Sequence, residues 1–271
     1  MTESIASFVR RAAIAACLVL GASVDGTAQQ ALGIVTDPPA NGQFFSRFDF
    51  NMSAAKLGHP DPRFSWDTHW AGDFDFFDFV KGRISFLTDY QALLGNEFRA
   101  FDPYQSSYTL EAAGSYRYGK TEFVGVLNHV SRHLGDRARR VAVAENSLGP
   151  RVMRRFTDGP TTIDVRGDVR KVIARAYVDY TWISNIDVTL RSDLNPRLGL
   201  YARGFGQTIA VDKTIAGRDR QSGGRLEAGL RVAGTGGSIE LFFGAERVVD
   251  ADQLDRTARN WAFAGFRLLG K

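Results

Sequence analysis

The residues best suited to chemistry lie in one stretch, Asn128–Asp136, with the sequence NHVSRHLGD. It holds two of the chain's four histidines, His129 and His133, with Ser131 midway between them. Alternate residues of an extended strand project from the same face, so these three side chains are expected to lie together. A hydroxyl beside an imidazole, with a third group to orient the ring, is the minimum set for nucleophilic acyl transfer. The stretch therefore predicts a candidate nucleophile and its base on one strand.

The elements around this stretch alternate apolar and polar residues with a period of two, the pattern of half-buried β-strands. The clearest is Tyr108–Tyr118, whose even-numbered residues are apolar or tyrosine and whose odd-numbered residues are mostly polar. An apolar face with tyrosines at both ends is typical of a lipid-facing strand between two aromatic girdles. Positions 46–269 divide into roughly 10 to 12 such strands, each long enough for a tilted bilayer crossing. The sequence thus predicts an all-β, antiparallel transmembrane β-barrel.

Charged residues of both signs in mid-strand favour this barrel over its alternative, a secreted β-sandwich. In a sandwich the polar face is solvated, whereas in a barrel it lines a lumen in which opposite charges pair. We expect such pairs between Arg175 and Asp179 and between Arg225 and Glu227. A mostly filled lumen is the consequence.

The first residues predict export. Arg10-Arg11, the apolar run 12–24 and the small residues before Gln29 form a secretory signal peptide over residues 1–28. Cys17, the only cysteine, lies inside it, and a lipoprotein processing site there is a weaker alternative. Residues 29–43 would then form a mature N-terminal segment and residues 44–271 the barrel. The predicted location is the outer membrane of a Gram-negative cell.

Composition excludes several functions. The net charge is +4, and basic residues alternate with acidic ones throughout, so nucleic acid is not an expected partner. The sequence has no Gly-rich phosphate loop, CxxC pair or HExxH, which removes support for nucleotide or zinc-protease chemistry.

Two segments read as loops. Glu97–Ser107 contains Pro103, and the Arg-rich Leu134–Asp168 contains Gly149-Pro150 and a second Gly-Pro pair. A connection as long as the second is expected on the cell exterior. Its arginines could bind lipopolysaccharide phosphates through charge-assisted hydrogen bonds, or could simply be solvated.

The facing of the histidine–serine stretch follows from the turn before it. If Gly119-Lys120 is a two-residue hairpin turn, Tyr118 pairs with Thr121 and Leu110 pairs with His129. Directly opposed residues share a face, so His129, Ser131 and His133 would face lipid. Because short turns belong to the periplasmic side, the stretch would lie at the outer-leaflet end of its strand.

His-x-Ser at this position resembles the motif of the outer-membrane phospholipase A and lipid A deacylase barrels. The resemblance implies that Ser131 is the nucleophile, that His129 is the general base, and that a polar or acidic third member follows. Asp136, Glu145 and Asn146 are the candidates for that member. Where the phospholipase has asparagine after its serine, this chain has Arg132. The longer string, with Asn128 and His133, also resembles an uncharacterised family of bacterial outer-membrane proteins with a His-x-Ser-x-His-Leu-Gly-Asp signature, which implies no known chemistry.

Other readings of the same residues remain open. The cluster could be structural, in a barrel that is a scaffold or a narrow pore. His129, His133 and Asp136 could also ligate a metal ion. No cofactor is required for acyl transfer, although calcium dependence stays open. The expected partners are membrane lipids and lipopolysaccharide. A homodimer is possible, and the sequence does not determine the oligomeric state. His59 and His69 are expected in a loop and in an aromatic girdle.

Overall fold

A computed structural model describes residues 36–135 and 141–270. The strands are β1 Gln43–Gly58, β2 Trp66–Asp78, β3 Arg83–Gly95, β4 Asp102–Tyr118, β5 Thr121–Leu134, β6 Val143–Asp158, β7 Thr161–Ala176, β8 Tyr180–Asp193, β9 Leu198–Val211, β10 Gln221–Ala233, β11 Gly237–Val248 and β12 Arg259–Gly270. A four-residue helix, α1 Lys213–Ala216, lies between β9 and β10. Each strand pairs with its sequence neighbours, and β1 pairs with β12, so the antiparallel sheet closes into a barrel. The predicted all-β barrel is confirmed, with twelve strands among the described residues.

The connections differ in length at the two ends of the barrel. One end has two-residue turns such as residues 119–120 and 159–160, in which Gly119 and Gly159 adopt the left-handed conformation that favours glycine. The other end carries longer connections, including residues 59–65 and 249–258. Short turns mark the periplasmic end of such barrels, so Leu134 at the end of β5 lies toward the cell exterior.

The outward face is apolar over its central height. Exposed side chains there include Phe86, Leu110, Leu127, Ile186 and Phe243. Exposure of such an apolar belt to water would be unfavourable, whereas contact with lipid is favourable. Among the described residues, no helix is long and apolar enough to cross a membrane.

The lumen is filled by paired charges. Arg225 Nε lies 2.9 Å from Glu227 Oε2, as the sequence predicted, and Arg267 bridges Glu227 and Glu240 at 2.8 and 2.6 Å. Burial of these ions is compensated by several hydrogen bonds to each. The prediction that Arg175 pairs with Asp179 in the lumen was wrong. Arg175 lies at the outer rim, where it binds backbone carbonyls and Asp212.

The predicted exterior loop Leu134–Asp168 was also wrong. Most of it is β6, a periplasmic turn and the first half of β7. Arg151 is a lumen residue, 2.5 Å from Glu111 of β4, so its charge marks the inner face of a strand. The β6–β7 ladder pairs Leu148 with Lys171 and resumes at Arg151 with Asp168, which accommodates Pro150 on the lipid face. Likewise, Pro103 sits near the start of β4, inside the other segment predicted as a loop.

One further boundary differed. Residues 170–182 alternate in the sequence as one strand would, but β7 ends at Ala176 and β8 begins at Tyr180. Tyr177 between them has a positive φ of 66°, which turns the chain at the rim.

The connection between β11 and β12, here called the mouth loop (residues 249–258), folds inward over the outer end of the lumen. Asp250 accepts hydrogen bonds from Tyr180 and Arg218, and Asp252 lies 2.6 Å from Arg63. Although burial alone would raise the pKa of Asp250, the bonds from Arg218 and Tyr180 lower it below its usual range. The mouth loop is therefore held by charged anchors.

Candidate functional site

The β4–β5 hairpin positions the histidine–serine stretch as predicted. Tyr118 pairs with Thr121 and Leu110 with His129 across the Gly119-Lys120 turn. His129 and Ser131 are half-buried and share a face with the exposed Phe123 and Leu127. The hydroxyl and both imidazoles therefore lie on the lipid-facing surface, near the outer end of β5.

Strand β6 supplies the group that orients His129. Asn146 is directly opposite His129 in the ladder, and its Oδ1 lies 2.7 Å from Nδ1 of the ring. An amide oxygen can only accept, so Nδ1 of His129 carries the proton and donates it. The other ring nitrogen, Nε2, is then left with a lone pair. This is the tautomer that a general base requires.

Ser131 lies between the two imidazoles but contacts only one. Its Oγ is 3.3 Å from Nε2 of His133, and the His133 ring packs edge-on against Tyr108 with centroids 5.4 Å apart. The resemblance predicted the hydroxyl against His129 instead. The two histidines flank Ser131 at equal spacing on the same face of β5.

A row of aromatic rings leads to the site along the outer surface. Trp70, Tyr90 and Tyr108 are cross-strand partners in successive ladders, with centroids 5.6 and 5.0 Å apart. Tyr108 is in turn opposite Ser131. Aromatic side chains gather at the membrane–water interface, so the row places Ser131 at headgroup depth.

The other predicted site residues lie elsewhere. Asn128 faces the lumen, where it bonds Glu111. Glu145 is the neighbour of Asn146 on β6 and, because alternate residues face opposite ways, it also points into the lumen. Its Oε2 is buried without a hydrogen-bond partner. Asp136 lies outside the described residues. Of the two candidates that lie within the described residues, Asn146 is the one that the structure brings to His129.

The remaining histidines are remote from this cluster. His59 is in a loop, as predicted, and packs edge-on against Phe64 and Trp261; burial and then Arg259 lower its pKa. His69 was expected in a girdle but lies in the lumen, with Nδ1 3.0 Å from Asp89 and Nε2 3.3 Å from Asp67. Within the described residues, no group of three or more His, Cys, Asp or Glu side chains could hold a metal ion.

The lumen behind the site contains two small cavities. A cavity of about 80 Å³ lies beneath the mouth loop and is lined by Asn128, Glu145 and His69 among others. A second, of about 20 Å³, lies nearer the periplasm. The ion pair of Glu111 and Arg151 is at the level between them, since Glu111 and Arg151 both line the lower cavity and Glu111 bonds Asn128 of the upper one.

No protein-family model matches the sequence, and no curated protein matches it significantly. Among solved structures, the chain is similar to outer membrane phospholipase A from Escherichia coli, with 11% identity and a TM-score of 0.51 over 84% of this chain and 91% of that chain. The Salmonella typhi outer membrane phospholipase, solved as a dimer with bound calcium, gives a TM-score of 0.52 at 10% identity over 90% and 94% of the two chains. LpxR from Salmonella typhimurium fits more loosely, with a TM-score of 0.47 at 8% identity over 82% and 99%. The likeness establishes the fold, that of a barrel of the outer membrane, as the sequence predicted.

Proposed function

We propose that this outer-membrane barrel is a serine hydrolase that cleaves acyl esters of membrane lipids. One observation carries the proposal: His129 is held by Asn146 at 2.7 Å in the tautomer of a general base, two residues from Ser131 on the lipid face. A nucleophile, a base and an orienting group thus lie where the ester bonds of a lipid reach the interface.

The reaction runs in two halves. Ser131 Oγ attacks the ester carbonyl while His129 Nε2 takes its proton, and Asn146 Oδ1 accepts the Nδ1–H of the imidazolium that forms. The proton then passes to the oxygen of the leaving alcohol as the ester C–O bond breaks, which leaves an acyl-serine. Water then attacks the acyl carbon with His129 again as the base. The bond from that carbon to Ser131 Oγ breaks, His129 returns the proton to Oγ, and a fatty acid is released.

His133 holds the resting hydroxyl. Its Nε2 is 3.3 Å from Ser131 Oγ, so the serine turns from His133 toward His129 when substrate binds. Hydrogen bonds within catalytic groups are often loose before substrate arrives, which is consistent with this arrangement.

The neighbouring structures support an amide as the third member. One of the Escherichia coli phospholipase structures is that of an active-site mutant in which asparagine is replaced by alanine. Asn146 is the residue of this chain that would have the corresponding role, in place of Asp136 or Glu145.

The location of the site selects its substrates. Ser131 faces lipid at the outer-leaflet end of β5, so phospholipid or the lipid A part of lipopolysaccharide is the substrate class. The Salmonella typhi phospholipase is a dimer with bound calcium, and we include a calcium requirement and a homodimer in the proposal for this chain.

The rival function, a narrow pore with a structural histidine cluster, fits the lumen poorly. The two lumen cavities have volumes of about 80 and 20 Å³ and are lined by charged side chains. A conducting pore needs a continuous water path, and the mouth loop lies across it.

The test is lipid hydrolysis by refolded protein and its Ser131→Ala variant, with and without calcium. Release of fatty acid from phospholipid or lipid A by the parent, lost in a variant that retains the barrel, supports the proposal. If neither protein releases fatty acid under any condition, the barrel is non-catalytic and its histidine cluster is structural.

A further inference from the structure

A lysine faces the lipid beside the candidate site. Lys171 of β7 is directly opposite Leu148 on β6 and Trp182 on β8. Both partners are about half exposed on the outer surface, and directly opposed residues share a face. The preceding residue, Arg170, points inward to Asp168. Lys171 therefore projects outward between two apolar side chains.

Lys171 is exposed, and among the described residues no hydrogen bond or ion pair holds its ammonium group. Other outward cations of the strands are occupied. Lys56 bonds Ser65 at the outer rim, and Arg154 stacks on Phe156, 4.9 Å from its ring centroid, near the periplasmic end. An unpaired charge on the lipid face is costly and indicates a function and a partner.

The ladders place Lys171 next to the catalytic candidates. Leu148 is two residues from Asn146 on β6, so Lys171 lies one strand and about 7 Å along the strand from Asn146. It is five residues from the outer end of β7 and ten from the periplasmic end. A lysine stem extends along apolar surface while its ammonium moves toward water, which brings the charge closer to the level of Ser131.

We propose that Lys171 binds the phosphate of the lipid whose acyl ester is presented to Ser131. An ammonium group is a compact point charge with three donors, suited to a phosphate oxygen whose orientation varies. Leu148 and Trp182 on either side would contact the acyl chain and the interface. This inference rests on the proposed function for its reaction, but the binding it describes does not need the reaction.

A binding experiment separates the two claims. The protein with Ser131→Ala, which cannot turn over substrate, is compared with Ser131→Ala/Lys171→Met by native mass spectrometry in detergent. Phosphatidylglycerol and diacylglycerol with the same chains are the probes, and lipid A with and without its phosphates forms a second arm. We expect retention of the phosphorylated lipid to fall about tenfold in the double variant, and retention of diacylglycerol to stay unchanged.

Hydrolysis supplies the second readout in the protein with Ser131 intact. Lys171→Met should lower kcat/KM for the phosphorylated lipid about tenfold relative to an ester without phosphate, and Lys171→Arg should restore most of it. Arg154→Met is the matched control, because it removes an outward cation from the neighbouring strand at the opposite end of the barrel.

The possible outcomes distinguish a phospholipid from lipid A as the source of the phosphate. They also separate phosphate binding by Lys171 from the proposed hydrolysis. Loss confined to phosphatidylglycerol identifies a phospholipid headgroup, and loss confined to lipid A identifies its phosphates. Phosphate-dependent binding without hydrolysis by the parent would leave this inference standing and defeat the proposed function. Equal retention of the phosphorylated lipids by Ser131→Ala and Ser131→Ala/Lys171→Met would overturn the inference.

Discussion

Replacing Asn146 tests the candidate site most directly. Asn146→Ala removes the oxygen that accepts the proton of His129 Nδ1 at 2.7 Å and changes little else, because Asn146 faces outward and lines neither lumen cavity. In the transition state this bond is made to an imidazolium, and hydrogen bonds to charged groups contribute about 1.5–3 kcal/mol. Loss of that amount lowers kcat about 10- to 100-fold. Asn146→Asp keeps an acceptor and should retain more activity than alanine.

The control is Asn128→Ala, an asparagine of the same motif whose side chain faces the lumen. Initial rates of fatty-acid release from a micellar phospholipid would be measured for all variants, with circular dichroism to verify the barrel. The reasoning is refuted if Asn146→Ala keeps the parental rate, or if Asn128→Ala loses as much in a folded barrel. In either case the His129–Asn146 bond would not be part of catalysis.

The remaining predictions concern the two histidines, Glu145, two ion pairs and the pH dependence of the mouth loop. His129→Asn should abolish hydrolysis while His133→Asn lowers kcat by about tenfold or less, because in the proposed mechanism His133 holds the resting hydroxyl and does not take its proton; equal losses in the two rates would contradict these roles. Glu145→Gln should leave kcat unchanged, since its carboxylate lies in the lumen. Arg151→Leu leaves Glu111 buried without its 2.5 Å partner and should destabilise the barrel by about 3–5 kcal/mol in urea titrations, whereas Arg155→Leu, in a half-exposed pair, should cost about 1 kcal/mol or less. Finally, the hydrogen bond from Arg63 is the main reason that the pKa of Asp61 is lowered from 3.8 to about 2. The pair therefore stabilises the mouth above pH 3.8, and this contribution is lost as the pH falls through about 2. Proteolysis of the mouth loop should increase as the pH falls from 3.8 to about 2, and Arg63→Gln should remove most of this pH dependence.

Much of the fold could be predicted because a barrel strand has a period of two and a two-residue turn fixes its register. Gly119-Lys120 determined which residues of β5 oppose β4, and with them the outward facing of Ser131. The same rule fails where a strand lacks an apolar inner face. Arg151 was predicted to lie in a loop, but in the lumen it pairs with Glu111 of β4, which is 40 residues earlier in the chain.

The third member of the site could not be chosen from sequence for a related reason. Glu145 and Asn146 are adjacent, so they face opposite sides of β6, and the β5–β6 register decides which one meets His129. The connection between these strands gave no turn signal that fixes this register. A carboxylate is the more familiar partner for a histidine, but here it is the amide that shares the face of the imidazole.

Opposite faces of β5 therefore carry two polar systems with different reasons to exist. Inside, Glu122, Asn128 and Arg132 are bonded to lumen partners, and their polarity fills and closes the barrel. Outside, His129 bonds Asn146 and Ser131 bonds His133, at a depth where lipid would accept leucine or phenylalanine at no cost. A lipid-facing strand does not need polar residues there for the stability of the barrel, whereas the proposed reaction at the lipid interface would need them.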